Sequence, residues 1–221
     1  FAHNREDFPI SVPIGTQPLH AAGVATAFKL RKQPRVAVTT MGEGATSQGD
    51  FYEAVNVAGT WKLPVIFMIN NNQWAISVPS SAQTGAQTFA QKAIAGGFTG
   101  LQVDGNDIIA VCDVMYKALE KARTGGGPTL IEAVTYRLCD HTTADDASRY
   151  RDKAELDKAW QEEPLLRLRK YLMDNKLWSQ AEEEAFLAGC SAKVEKTVAE
   201  YLSKPKPLTQ DMFDYMYQTI P

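Results

Sequence analysis

Short apolar runs alternate with segments whose apolar residues recur at helical spacing over the first 137 residues. The apolar runs predict four strands, at residues 35–41, 64–70, 98–105 and 128–137. The second run, PVIFMIN, is nearly unbroken by polar residues, which predicts a strand buried on both faces. The periodic segments predict four helices, at residues 18–32, 49–62, 87–96 and 106–123. Strands that alternate with helices are typical of an α/β fold with a doubly wound, mostly parallel sheet flanked by helices.

Individual residues mark where several of these helices begin. Pro18 is well placed to open the first helix, because the first helical turn tolerates proline. Either Asn106 or Asp107 is the expected N-cap of the fourth helix. Beyond residue 153 the chain predicts strongly charged helices, and Ser179 with Glu182 predicts a capping box at the start of the last one.

The pattern changes after Arg137. Residues 138–153 are polar and charged without a period, which predicts a long exposed loop of the kind that is usually functional or disordered. We therefore expect an α/β domain at residues 1–151, which includes the loop 137–151. A C-terminal helical tail at residues 152–221 is expected to pack on the same domain.

Composition excludes several classes of partner. The chain has 23 Lys plus Arg against 26 Asp plus Glu, whereas a nucleic-acid binder needs clustered basic residues. No apolar run approaches the roughly 20 residues of a membrane-spanning helix, so we expect no membrane partner. The three cysteines are far apart, which fits neither a disulfide framework nor a Cys-x-x-Cys metal site and indicates a reducing compartment. The chain begins at Phe1 rather than Met, so we expect it to be part of a longer protein.

Two chemically rich loops directly follow the first two strands, GEGATSQGD at 42–50 and NNNQWAIS at 70–77. Ligands bind beyond the carboxyl ends of parallel strands, so both loops face one crevice if these strands are neighbours. The Glu43 carboxylate, the Asn72 amide oxygen and a backbone carbonyl form an all-oxygen shell suited to Mg²⁺ or Ca²⁺. Backbone N–H groups after Glu43 can bind a phosphate of the same ligand.

The glycine-rich loop lacks the features of two common nucleotide sites. No Gly-Lys-Ser/Thr sequence follows at the P-loop spacing, and position 47 is Ser where the dinucleotide fingerprint requires Gly. A P-loop-like nucleotide binder is therefore a minor alternative.

The spacing of the two loops resembles a known motif. GEG, a 26-residue spacer and Asn71–Asn72 resemble the thiamin-diphosphate motif, usually written GDG…NN. The surrounding sequence resembles the alpha subunit of 2-oxo acid dehydrogenases from about Ser11 to Pro207. The segments that carry this resemblance are TSQGDFYEAVNVAGTWKLPVIF, NNNQWAISVP, LQVDGND, TLIEAVTYR, HTTADDASRYR and KPKP.

The resemblance implies a thiamin diphosphate-binding fold with thiamin diphosphate and Mg²⁺ as cofactors. It assigns the ligands of Mg²⁺ to Glu43, Asn72 and the backbone carbonyl of Trp74. It assigns contacts with thiamin diphosphate to Ile14, Gly42, Gly44, Ala45, Asn72 and His141. His141 is also the implied catalytic residue, because the matching family histidine aids transfer to lipoamide from a mobile loop. The charged frame of that loop matches Asp145, Asp146, Arg149, Tyr150 and Arg151.

The resemblance also implies the reaction and the partners. The family decarboxylates a small 2-oxo acid oxidatively and passes the acyl group to lipoamide on the lipoyl domain of a transacylase. The TSQGDFYE segment and residues 87–105 are most similar to bacterial pyruvate-type subunits, so pyruvate is the favoured substrate. Glu43 replaces the motif's usual Asp as in branched-chain members, and acetoin is a third candidate. The bacterial cytoplasm is the favoured location, with the mitochondrial matrix as the eukaryotic equivalent.

Two parts of the family's active centre have no match in this chain. Family members begin upstream of Phe1 with helices that supply an aromatic–Arg pair to the diphosphate. The carboxylate that activates the aminopyrimidine belongs to a beta subunit in an α₂β₂ heterotetramer. We therefore expect this chain alone to hold half of a cofactor site and to be inactive. The alternative is a truncated alpha chain that acts only as an assembly module for a beta subunit.

Overall fold

A computed structural model describes residues 7–8 and 12–214 of the chain. Its strands are β1 (Ala37–Gly42), β2 (Val65–Asn71), β3 (Trp74–Ala75), β4 (Val78–Pro79), β5 (Thr99–Asp104) and β6 (Thr129–Val134). Within the described residues, one four-stranded sheet has the order β1-β2-β6-β5, and each neighbouring pair is parallel. β3 and β4 form a small antiparallel hairpin. The predicted parallel sheet is confirmed.

The first three α-helices pack against this sheet, and the others come after it in the sequence. The α-helices are α1 (Thr16–Leu30), α2 (Gly49–Thr60), α3 (Ile108–Arg123), α4 (Lys153–Trp160), α5 (Pro164–Asp174), α6 (Gln180–Ser203) and α7 (Asp211–Asp214). Short 3₁₀ helices lie at Glu43–Ser47, Ser80–Ala82, Phe89–Gly96 and Ala147–Arg149. We refer to two of them below as the 43–47 helix and the 89–96 helix.

β2 is the strand on which both layers of the core are built. Its residues are buried except for Asn70, as its unbroken apolar run predicts. Phe67 packs in a cluster with side chains of α1, α2 and the 89–96 helix. Ile66 faces the other side of the sheet and packs with α3. Helices therefore cover both faces, which confirms the doubly wound architecture.

The structure corrects one predicted helix start and decides between two candidates for another. α1 begins at Thr16 rather than at Pro18. Proline is tolerated inside the first turn because the amides there have no intrahelical acceptor. At the fourth helix the side chain of Asp107 accepts hydrogen bonds from the amides of Ile109 and Ala110, so Asp107 is the N-cap and Asn106 is not.

The segment predicted as a helix at 87–96 is a 3₁₀ helix rather than an α-helix. Its buried positions are Phe89, Ala90, Lys92 and Ala93, which repeat every three residues. A 3₁₀ helix has three residues per turn, so this spacing places the buried side chains on one face.

The chain divides into two compact units, Phe1–Leu168 and Arg169–Pro221. This division falls later in the sequence than the boundary we drew after Arg151, so the first unit also contains α4. The second unit contains α6, which the predicted Ser179–Glu182 capping box opens. Among the described residues, no helix is both long and apolar enough to cross a membrane.

Gly59 lies where α2 meets the 89–96 helix, and a Cβ atom there would lie 1.7 Å from the carbonyl oxygen of Gly96. We expect Gly59→Ala to lower the free energy of unfolding by about 2 kcal/mol or more, because the backbone must move apart. Gly23→Ala in α1 is the matched control, since its Cβ would meet nothing within 4 Å. Helix propensity predicts a gain of up to about 1 kcal/mol for that control. Equal changes in the two variants, measured by chemical denaturation, would contradict this packing.

Candidate functional site

A cavity of about 470 Å³ opens at the carboxyl edge of β1 and β2. The two strands pair in parallel, with Gly42 opposite Asn70, so the chain leaves both strands at the same edge. The expectation that their loops face one crevice is confirmed. The cavity wall contains every predicted site residue: Ile14, Gly42, Glu43, Gly44, Ala45, Asn72, Trp74 and His141.

Glu43 is the buried charged group of this cavity, with 1 % of its surface exposed. Its Oε2 atom accepts a hydrogen bond from the backbone N–H of Asn72 at 3.2 Å. Its Oε1 atom is buried and accepts no hydrogen bond from the described residues. Burying a carboxylate oxygen without a partner is costly, so this atom is suited to bind a cation.

The other two predicted metal ligands are oriented by hydrogen bonds of their own. The Asn72 Oδ1 atom accepts from the backbone N–H of Trp74 at 3.0 Å. The Trp74 carbonyl accepts from Nη1 of Arg137 at 3.2 Å. Amide and carbonyl oxygens each have two lone pairs, so both atoms retain one for a cation. Both oxygens therefore remain able to bind a cation.

The donor set at this edge favours a hard cation. Within the described residues, no group of three or more His, Cys, Asp or Glu side chains is placed to hold a metal ion. A cation at this cavity would instead be held by one carboxylate, one amide oxygen and one backbone carbonyl. Oxygen ligands of this kind suit Mg²⁺ or Ca²⁺ rather than zinc or copper.

Gly44 lines the cavity at a point where the backbone closely approaches the β3–β4 hairpin. A Cβ atom on it would lie 2.8 Å from the Cβ atom of Ala75, so a larger residue would push the 43–47 helix away from the β3–β4 hairpin. Gly15, which also lines the cavity, plays a similar part. It adopts a φ of +89°, and a Cβ there would lie 2.9 Å from Cβ of Gln48. Glycine therefore allows the backbone to approach the cavity closely.

The segment between β2 and β4 adopts an unfavourable backbone conformation. Gln73 has a φ of +73° and Ile76 a φ of +54°, a region that β-branched residues avoid. The Gln73 carbonyl accepts from the amide of Ser80 at 2.9 Å, and the Ile76 carbonyl accepts from Nη2 of Arg137 at 2.7 Å. Such conformations persist when surrounding contacts hold them, and they cluster at functional sites.

His141 is exposed and lines the cavity, and it lies in the loop predicted at 138–153. Its backbone N–H donates to Oδ2 of Asp145 at 2.9 Å, and the Tyr150 hydroxyl donates to the same oxygen. Nη2 of Arg137 in turn donates to the Tyr150 hydroxyl at 2.8 Å. Arg137 therefore connects the loop that carries His141 to the segment that carries Trp74.

The hydrogen bonds of this loop shift two titrating groups in opposite directions. The Tyr150 hydroxyl, followed by the His141 N–H, holds the pKa of Asp145 below its ordinary value. Burial, followed by the hydrogen bond to Asp145, raises the pKa of Tyr150. Because the pKa of Asp145 is lowered in the folded loop, these contacts stabilise the loop above the ordinary carboxyl pKa. Their contribution is lost as the pH falls through the lowered value.

Two residues of this site were not identified by the sequence analysis, Arg137 and Ile76. Arg137 ends the predicted strand at 128–137, and its contacts are with residues more than sixty positions away or in the following loop. No local pattern signals such contacts. Ile76 stood within a quoted motif, but its positive φ is visible only in the structure.

Comparison with known proteins gives one family. The sequence profile of the family described as "Dehydrogenase E1 component" matches residues 2–210. A 3-methyl-2-oxobutanoate dehydrogenase subunit alpha from Mycobacterium tuberculosis is 53 % identical over 180 residues, 81 % of this chain and 49 % of the relative. Pyruvate dehydrogenase E1 component subunits alpha from Bacillus subtilis and Staphylococcus aureus are 43 % and 45 % identical over 210 residues, 94 % of this chain and 56 % of each relative.

The chain thus spans about half the length of the curated relatives it matches. Within that span the family profile covers nearly all of the sequence, and the resemblance inferred from the motifs is confirmed. This chain belongs to the dehydrogenase E1 component family.

Proposed function

We propose that this chain is the cofactor-binding part of the alpha subunit of a 2-oxo acid dehydrogenase that uses thiamin diphosphate and Mg²⁺. The observation that carries the proposal is the pairing of Glu43 with Asn72 at a cavity where the buried Oε1 of Glu43 has no hydrogen-bond partner within the described part of the chain. Thiamin diphosphate, when bound, supplies the carbanion chemistry of decarboxylation, and the protein supplies binding and orientation.

The residues of this chain hold the cofactor at its charged end. The oxygens of Glu43, Asn72 and Trp74 bind Mg²⁺. The backbone N–H groups of Gly44 and Ala45, with Gly42 beside them, bind the diphosphate. A nearby cation and backbone N–H groups together offset the charge of a diphosphate, so its position is fixed before any substrate arrives.

Two further residues, Ile14 and His141, also line the cavity. Ile14 is 65 % exposed and lines the cavity, so its apolar side chain would be free to pack against the rings of the cofactor. His141 is exposed and lines the cavity, so its imidazole would be able to donate a hydrogen bond to the phosphates or a proton during transfer to lipoamide.

The substrate is a small 2-oxo acid, with pyruvate favoured. Residues 87–105 and the segment after Glu43 support pyruvate, and two relatives bear that name. Glu43 itself and the 53 % identical relative support a branched-chain 2-oxo acid. The alignment with the pyruvate dehydrogenase subunit covers 94 % of this chain, whereas the alignment with the branched-chain subunit covers 81 %.

We further propose that this chain works with a beta subunit in an α₂β₂ heterotetramer and with the lipoyl domain of a transacylase. The relatives are named as alpha subunits, which supports a partner subunit. Their bacterial sources support a cytoplasmic location. By this proposal the isolated chain holds half of the site and is inactive.

The first test concerns the metal ligands. In the assembled enzyme, Glu43→Gln and Asn72→Ala should each weaken Mg²⁺-dependent binding of thiamin diphosphate by more than about 100-fold, since the loss of a residue that only orients a ligand already costs about 10–100-fold. Asp50→Asn, an exposed carboxylate in the first turn of α2, is the matched control and should bind as the wild type does. Unchanged calorimetric affinity in both site variants would contradict the proposed ligands.

The second test concerns His141. If it aids transfer to lipoamide, His141→Ala should slow acylation of the lipoyl domain by about 100-fold, the scale of a lost proton-transfer group. Turnover with an artificial electron acceptor, which bypasses lipoamide, should fall far less. His20→Ala, on α1 at a different cavity, is the control. Equal losses of rate in the lipoyl-domain assay and the artificial-acceptor assay would contradict a role for His141 in transfer to lipoamide.

The third test concerns the substrate. Pyruvate, 3-methyl-2-oxobutanoate and acetoin are offered to the reconstituted enzyme, and CO₂ release and acceptor reduction are measured. We expect the highest kcat/KM with pyruvate. A higher value for 3-methyl-2-oxobutanoate would assign the branched-chain class, and acceptor reduction with acetoin alone would contradict decarboxylation.

A further inference from the structure

Two charged side chains are buried beside the proposed site without lining its cavity. Lys92 is 7 % exposed and Glu132 is 1 % exposed. Lys92 belongs to the 89–96 helix, and Glu132 lies in β6 and is hydrogen-bonded to that helix. Burial of a charged group is expensive unless it is paired, so each calls for an explanation.

Lys92 is connected to the loop that carries Glu43. Its ammonium group donates to the carbonyl oxygen of Thr46 at 3.0 Å and to the Thr46 hydroxyl at 2.9 Å. That hydroxyl donates in turn to the backbone carbonyl of Glu43 at 2.6 Å. Two hydrogen bonds therefore link the 89–96 helix to the residue that offers its carboxylate to the cavity.

The surroundings of the Lys92 ammonium hold it in place. It lies 5.9, 5.2 and 5.3 Å from the ring centroids of Phe51, Tyr52 and Phe89. Among the ion pairs of the described residues, none includes Lys92. Aromatic faces attract a cation within about 6 Å. The three rings and Thr46 therefore stabilise the buried ammonium group in place of a carboxylate partner.

Glu132 is connected to the loop that carries Asn72. Its Oε2 accepts from the backbone N–H of Ala90 at 2.9 Å, and its Oε1 accepts from Nδ2 of Asn71 at 2.7 Å. The Oδ1 atom of Asn71 then accepts from the amide of Gln73 at 3.1 Å and from the Ser80 hydroxyl at 3.2 Å. We call this chain of hydrogen bonds, and the one from Lys92 through Thr46 to Glu43, relays. The relay from Glu132 orients the residues on both sides of Asn72.

The two relays start two residues apart on one short helix, at Ala90 and Lys92. We propose that the 89–96 helix is a brace that sets the separation of Glu43 and Asn72, with Lys92 and Glu132 as its positioning residues. This inference rests on the proposed function, because it concerns the cation bound between those two ligands.

The brace matters most for a cation with strict geometry. Mg²⁺ requires nearly ideal octahedral ligands at about 2.0–2.1 Å, whereas Ca²⁺ accepts oxygens at about 2.3–2.6 Å in variable arrangements. A loosened brace therefore lowers Mg²⁺ affinity more than Ca²⁺ affinity. A role limited to stability would lower the affinities for both cations together or change neither.

The test measures cation preference rather than activity. Lys92→Met and Glu132→Gln are introduced into the full-length chain, assembled with its partner subunit, and titrated with Mg²⁺ or Ca²⁺ in the presence of thiamin diphosphate. We expect Mg²⁺ affinity to fall about 10-fold or more, as for other residues that orient metal ligands. Ca²⁺ affinity should change by less than about 3-fold, given its tolerance of geometry.

Lys121→Met is the matched control. The Lys121 ammonium donates to the carbonyl of Pro128 at 2.8 Å and to the hydroxyls of Thr129 and Thr99. It therefore makes the same kind of contact as Lys92, but at the opposite end of the sheet. This control should keep the ratio of Mg²⁺ to Ca²⁺ affinity of the wild type.

The outcomes separate the inference from the proposed function. A wild-type enzyme that binds neither cation with thiamin diphosphate overturns the proposed function. A wild type that binds Mg²⁺, with variants whose preference is unchanged, overturns the brace. If Lys92→Met does not fold, Thr46→Val removes the hydroxyl that links Lys92 to the Glu43 carbonyl, leaves the bond from Lys92 to the Thr46 carbonyl in place, and should shift the preference in the same direction.

Discussion

Gly42 of β1 pairs with Asn70 of β2 at the carboxyl end of a parallel ladder, and the rest of the site depends on that register. Beyond this pair, the chain turns into the 43–47 helix on one side and towards Trp74 on the other. The amide of Asn72 then reaches the carboxylate of Glu43. A shift of one residue would exchange the side chains of β2 between the two faces of the sheet, so that neither of its two packed layers would fit.

The structure around this site buries several charged side chains away from water. Glu43, Lys92 and Glu132 are buried, and each is held by neutral donors or acceptors rather than by an opposite charge. Such networks specify one geometry when they are fully satisfied, because unpaired alternatives are expensive. The Oε1 atom of Glu43 has no hydrogen-bond partner among the described residues, and Glu43 lines the cavity at which we propose a cation.

The sequence predicted the parts of the molecule that local pattern encodes. The unbroken run at 64–70 indicated a central buried strand, and the two loops at strand ends indicated where chemistry would lie. Arg137, Lys92 and Glu132 could not be assigned in this way, because their partners are 13 to 63 residues distant. The start of α1 and the 3₁₀ character of residues 89–96 were also missed. The first depends on amides of one turn that need no intrahelical acceptor, and the second on a small difference in residues per turn.

The central claim is that Glu43, Asn72 and Trp74 hold a divalent cation at this edge of the sheet. The most direct measurement is a crystal structure of the assembled enzyme with Mn²⁺ and thiamin diphosphate, in which anomalous scattering locates the metal. The account predicts Mn²⁺ within about 2.5 Å of Oε1 of Glu43, Oδ1 of Asn72 and the Trp74 carbonyl oxygen. A metal bound elsewhere, or a cofactor bound with these three oxygens left out of its coordination, would contradict it.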